Sequence, residues 1–128
     1  MSRFKLLLLI LYVATIFLIS TRPNLTSPGP DFEYKDKVAH VAEYFFLGTL
    51  LFWGIGWTVS RTSVLLVFFF LFSVGVSIGA IDEMVQGYIP GRQTDIYDWF
   101  ADAAGVATGV GLTMAISLYR RQSSKGRS

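Results

Sequence analysis

Asp36, His40 and Glu43 stand at spacings of four and three in otherwise apolar sequence. At about 100° of helix per residue they share one face within roughly 60° of arc. Glu43 lies roughly 10 Å along the axis from Asp36, and Tyr44 beside it offers a hydroxyl. Asp95, Asp98 and Asp102 repeat these spacings, so two polar faces reach a similar depth. Between them, Glu83 and Gln86 share a face, and Pro90-Gly91 forces a turn that returns Arg92 over the same surface. These residue types support acid–base chemistry, with Glu43, Glu83 or Asp102 exchanging protons beside His40. They also support binding, since the planar fork of Arg92 suits a phosphate or carboxylate. One histidine among several carboxylates suits a hard or borderline divalent metal, but there is no second histidine, and no cofactor motif is evident. No Ser-His-Asp order, phosphate-binding loop or zinc-protease motif accompanies these residues. Plainer roles compete: His40 pairing with Glu43 on one helix, Asp95 and Asp98 capping a helix start, and Arg92 pairing with Asp95. Asp102 is too far along to cap.

The elements that must hold these residues are membrane helices. Of 128 residues 52% are hydrophobic and only 16% charged, and the mean hydropathy is +0.50, whereas soluble domains carry roughly 25% charge. The apolar residues fall into four blocks of near-spanning length, about 4–20, 38–57, 64–81 and 99–118. The expected fold is all-α, a single transmembrane domain over 1–128 built as a four-span helix bundle. A soluble enzyme, a disordered tail and a nucleic-acid module are excluded, and the absence of cysteine removes any disulfide or thiolate site. The first block is followed by no small-residue cleavage position and reads as a retained anchor.

Basic residues set the orientation. Arg3, Lys5, Arg61, Arg120, Arg121, Lys125 and Arg127 fall on one side, seven in all, against Arg22, Lys35, Lys37 and Arg92, four in all, on the other. This places both termini in the cytoplasm. The acidic residues, Asp31, Glu33 and Asp82 among them, all lie outside or in the outer half of a span. Segment 21–37, with Pro23, Pro28, Gly29 and Pro30, is expected as an irregular outer connection, 58–63 as a short inner hairpin and 123–128 as a solvated tail. Small residues at helical spacing, Gly75 and Gly79 beside Ser73 and Ser77, then Ala101, Gly105, Gly109 and Thr113, mark expected helix contacts.

The run from Asp36 to Gly48, the segment Asp82-Glu83-Met84-Val85-Gln86, then Pro90-Gly91-Arg92, then Asp95, Asp98 and Gly105 together resemble the VanZ-like family of small bacterial membrane proteins. The resemblance covers about 31–118. Asp102 stands where that family more often shows Asn. The resemblance implies a four-span bundle in the bacterial cytoplasmic membrane, with a link in some members to teicoplanin resistance and in others to exopolysaccharide export. It implies no particular reaction.

Three functions compete on these residues. The first is recognition of a lipid-linked, glycopeptide-type or polysaccharide-related head group in the cell envelope. Arg92 would be the anion contact, and Asp36, Tyr44, Gln86, Asp95 and Asp98 would supply polar contacts. The second is an intramembrane acid–base enzyme, metal-assisted or not, using His40, Glu43, Glu83 and Asp102. The third is a proton-coupled transporter, which at this size would need an oligomer. Membrane lipids are the expected partners, with a lipid-linked saccharide or envelope-synthesis proteins beyond them. In each case His40, Glu43, Glu83, Gln86, Arg92, Asp98 and Asp102 are expected to line one shared outer pocket.

Overall fold

A computed structural model describes residues 2–23, 34–55, 63–92 and 94–126, the side chain of Lys125 excepted. It is all-helical: α1 (Arg3–Ser20), α2 (Lys35–Gly54), α3 (Val64–Gln86) and α4 (Ile96–Lys125). Three of these, α1, α3 and α4, are long and apolar enough to cross a membrane. The exception is α2, which carries Lys35, Asp36, Lys37, His40 and Glu43 in its first half. The residues that make α2 interesting are the ones that lower its hydropathy.

Each start and stop has a local cause. The Ser2 hydroxyl caps α1 by accepting from the Lys5 amide, and Asp95 caps α4 by accepting from the Tyr97 amide at 2.9 Å. After α3 the chain turns through Pro90-Gly91, where Gly91 takes φ 81°, a left-handed conformation open to glycine at little cost. The expected third span ends five residues early, because α3 continues through Asp82 and Glu83 to Gln86. These polar side chains face protein, so the helix has no reason to stop at them. The solvated tail expected from Ser123 remains helical to Lys125. The expectations for Pro28, Gly29, Pro30, Asp31, Glu33 and the 58–63 hairpin with Arg61 lie outside the described residues.

Helix α2 touches all three others and packs most extensively on α4, while α1 and α4 do not touch among the described residues. The reason is close backbone approach. A methyl group on Gly105 would lie 2.5 Å from the Val41 carbonyl oxygen and 2.9 Å from the Phe45 amide, and Gly109 is pressed against the Phe45 carbonyl in the same way. Gly48 returns the contact from α2, against the backbone of Val106 and Val110. The expected small-residue face on α4 is therefore a true interface. On α3 only half of the small-residue expectation holds. Gly75 receives the Val106 side chain and Gly79 faces Asp102 and Tyr44, whereas Ser77 turns outward and bonds the Ser73 carbonyl, satisfying itself without a neighbouring helix.

The core runs along one stripe of each helix: Leu9 and Ile16; Tyr44, Leu47, Leu51 and Phe52; Val67 and Leu71; Val106, Val110 and Met114. Outside it, Leu7, Leu11, Leu65, Leu66, Phe69 and Phe70 are exposed. A surface as apolar as its interior is what a helix bundle presents to lipid.

Candidate functional site

Toward the start of α2 the inward stripe changes from apolar to polar, and the same change occurs at the end of α3 and the start of α4. On α3 the buried series is Val67, Leu71, Gly75, Gly79, Asp82, Glu83 and Gln86. The face that packs the core thus delivers three polar groups to one end of the bundle. Asp82 and Asp102 are wholly buried there, and His40, Glu83, Gln86 and Asp98 nearly so.

The central contact is between His40 Nδ1 and Asp102 Oδ1, 2.8 Å apart across the α2–α4 interface. The other ring nitrogen lies 4.0 Å from Asp98 Oδ2. His40 therefore does not pair with Glu43 on its own helix, because the close approach at Gly105 brings Asp102 within direct reach. Glu43 is half-buried and within electrostatic reach of His40, Asp82, Asp102 and Arg92, and its backbone carbonyl accepts from the Tyr12 hydroxyl at 2.8 Å. Glu83 accepts from the Asp95 amide at 3.1 Å, which ties α3 to the start of α4. Gln86 donates to Asp82 at 3.0 Å and lies 3.5 Å from the Ser20 hydroxyl, which joins the end of α1 to the cluster. Asp36 is exposed at the rim, with a carboxylate oxygen within 4.8 Å of both His40 and Asp98 donor atoms.

Lys37 closes the rim. Its amine donates to Asp95 at 2.7 Å and Asp98 at 3.0 Å. These hydrogen bonds push the Lys37 amine above its ordinary range, and the same amine, together with the Tyr97 amide, holds the Asp95 carboxyl below its own. Asp95 therefore does cap, as one sequence reading had it, but its ion-pair partner is Lys37 rather than Arg92. Asp98 sits in the first turn and binds Lys37 instead of a free amide. Among the described residues, the Tyr44 hydroxyl, Asp82 Oδ1, Glu83 Oε1 and Asp102 Oδ2 are buried without a hydrogen-bond partner.

The residues singled out in the sequence gather at this end, several of them buried between the helices. A cleft of about 690 Å³ between α3 and α4 is lined by Ala80, Glu83, Met84, Thr94, Asp95, Ile96 and Trp99. Of the expected group only Glu83 lines this cleft, while His40 and Asp102 are packed inside the bundle. The Trp99 indole N–H is fixed on the Val76 carbonyl at 3.2 Å, which holds the ring at the cleft wall. Sequence reasoning missed Lys37, Asp82, Ser20 and Trp99. For Asp82 the signal was available: it precedes Gln86 by four residues and so shares its face. For Lys37 the basic charge was read as topology alone, and Ser20 and Trp99 carry no sequence signal of their own.

A family model described as VanZ/LLP1 matches residues 4–118 and so takes in α1 as well as the region that carries the motifs. No curated protein and no solved structure matches the chain.

Proposed function

This chain belongs to the VanZ/LLP1 family, and we propose that it is a four-span protein of the bacterial cytoplasmic membrane that recognises the head group of an envelope lipid, lipid-linked or glycopeptide-type or related to a polysaccharide. The observation that carries this reading is the cleft between α3 and α4. Its wall has carboxylates from Glu83 and Asp95, and beside them stand Met84, Ile96 and the fixed ring of Trp99. Carboxylates accept from sugar hydroxyls or amines, while the apolar side accommodates a ring face or the first carbons of a lipid chain. Behind the cleft, His40, Asp98 and Asp102 hold its wall through buried polar contacts, and Arg92 adds a positive group near Glu43 and Asp82. In this reading both termini are cytoplasmic and the cleft faces outward. Reporters fused at Pro28 and Ile89 should then report outside, and those at Arg61 and Arg121 inside. An external carboxyl terminus would overturn the orientation.

The binding test uses protein in nanodiscs titrated with a lipid-linked saccharide. Trp99 fluorescence should respond in the native chain and not in Glu83→Gln. An equal response from the Glu83→Gln protein would end the cleft reading. In cells, Glu43→Gln should abolish an envelope or glycopeptide-resistance phenotype while abundance stays near normal. If the cluster only holds the bundle together, abundance should fall instead. The pairing of His40 with Asp102 at 2.8 Å favours a second reading, an acid–base enzyme acting on an envelope lipid that reaches the buried cluster, because a carboxylate fixed to one ring nitrogen orients the other. Chemical change in the added lipid would separate the two readings.

A further inference from the structure

We infer that the buried cluster binds one divalent transition-metal ion through His40, Glu83 and Asp102. The inference rests on the cluster alone and does not require the head-group reading. The three residues come from α2, α3 and α4, all three are buried, and one donor atom from each lies within 4.8 Å of the others. Donors bonded at about 2.0–2.2 Å to a common ion are separated by roughly 3.3–4.4 Å. The widest of these separations therefore needs to close by only a few tenths of an ångström. His40 Nδ1 and Asp102 Oδ1, 2.8 Å apart, would open by about half an ångström to take the ion in place of the shared proton.

The second observation is the set of lone pairs that nothing else uses. Glu83 Oε1 and Asp102 Oδ2 are buried and have no hydrogen-bond partner among the described residues, as does the adjacent Asp82 Oδ1. Asp102 Oδ2 faces α3 at Gly79, where a methyl group would lie 2.9 Å from it, one helical turn before Glu83. Such oxygens in an apolar bundle carry a large desolvation cost unless a cation or donor meets them. Lys37 already holds Asp95 and Asp98, and Arg92 acts on Glu43 and Asp82 through its charge without a hydrogen bond to Glu83 Oε1 or Asp102 Oδ2. An approach of about 1 Å would bring Asp98, 4.0 Å from His40 Nε2, to the hydrogen-bond distance at which an outer carboxylate orients a ligating imidazole.

The donor set selects the ion. Imidazole with carboxylates suits zinc or manganese, whereas calcium and magnesium prefer all-oxygen sites and copper(I) prefers sulfur. Three protein donors leave at least one coordination position open.

The test is metal analysis of tag-free full-length protein in detergent, followed by chelation and titration with Zn²⁺, Mn²⁺ and Co²⁺. The expected result is close to one equivalent of bound ion, a melting temperature that chelator lowers and the ion restores, and a Co²⁺ absorption spectrum that Zn²⁺ abolishes. Asp98→Asn should weaken binding by about 10–100-fold, and the His40→Gln, Glu83→Gln double variant should remove it. Native protein that carries no ion, takes up none and melts identically with and without chelator would overturn the inference, and so would a double variant that binds as the native chain does. Because the native-chain measurements need no substitution, a variant that fails to fold leaves them decisive. Metal binding that persists while the lipid-linked saccharide fails to bind would refute the head-group reading alone.

Discussion

At one end of the bundle His40, Asp82, Glu83, Asp98 and Asp102 are buried between helices. At the other, Lys5, Arg120 and Arg121 stand around a cavity of about 490 Å³ lined also by Phe52, Trp53, Thr113, Ser117 and Ser124. The buried ionisable groups at the first end are carboxyls but for His40, and they are positioned by neighbouring helices. The three at the second are positive, and none of them is buried. Lys5 donates to the Trp53 carbonyl at 3.1 Å and lies 4.5 Å from the centre of its ring, an arrangement that leaves its head accessible. The basic end is what a membrane protein needs for orientation, since rim cations can reach water and head groups. The acidic end has no such outlet. Its charges are tolerable only through partners, so a residue there constrains the packing of three helices at once.

The largest effect that would break this contrast concerns single truncations at the two ends. Asp102→Ala leaves His40 without its buried partner and should cost about 3–5 kcal/mol, whereas Arg120→Ala should stay within about 0.5 kcal/mol. Melting of the detergent-solubilised protein compares them, and equal losses would erase the distinction. Asp102→Asn keeps an oxygen for the His40 ring and should fold, which sharpens the point from charge to hydrogen bonding.

A smaller effect tests whether the mid-bundle contact holds the acidic end together. Gly109→Ala drives a methyl group into the Phe45 carbonyl and should cost about 1–3 kcal/mol. Gly111→Ala meets nothing nearer than the Phe68 ring edge at 3.8 Å and should be neutral within about 0.5 kcal/mol. The same melts decide it.

The smallest effect belongs to the rim. Asp95 has its pKa lowered in the fold, so its contribution is present above the unfolded value of about 3.9 and disappears as pH falls through the lower folded value. Lys37 has its pKa raised, so its contribution is present below about 10.4 and disappears as pH rises through the higher folded value. The difference in melting temperature between the native chain and Lys37→Met should therefore be flat from about pH 5 to about pH 9 and shrink beyond either edge. A difference that vanishes near neutrality would show that Lys37 is not the clamp.

Much of this was legible in the residues. The four apolar blocks locate the four helices, and the Gly105 and Gly109 spacing reads correctly as a contact face because small residues at a four-residue repeat have few other uses in lipid. The polar positions His40, Glu83, Asp98 and Asp102 are legible because charge inside an apolar run is costly enough to need a reason. What the sequence could not show is which of them meet. His40 pairs across to Asp102 rather than along its helix to Glu43, and only the α2–α4 backbone distance decides that. For the same reason the cleft beside Trp99 was out of reach, since it is formed by residues of α3 and α4 together and not by any one segment.

The contact between α2 and α4 also bears on how the protein is made. Helix α2, the one helix without a stretch apolar enough to cross a membrane by itself, leaves the ribosome before α3, and its principal partner arrives last. Through that interval His40 has no Asp102, Lys37 has neither Asp95 nor Asp98, and the Phe45 backbone has no glycine against it. A chain halted short of Ile96 would carry bare polar groups at the membrane, whereas the finished chain conceals them against α4. The small residues of α4 thereby turn completion of synthesis into burial of the polar cluster, so an unfinished copy differs from a finished one in what it shows to the bilayer.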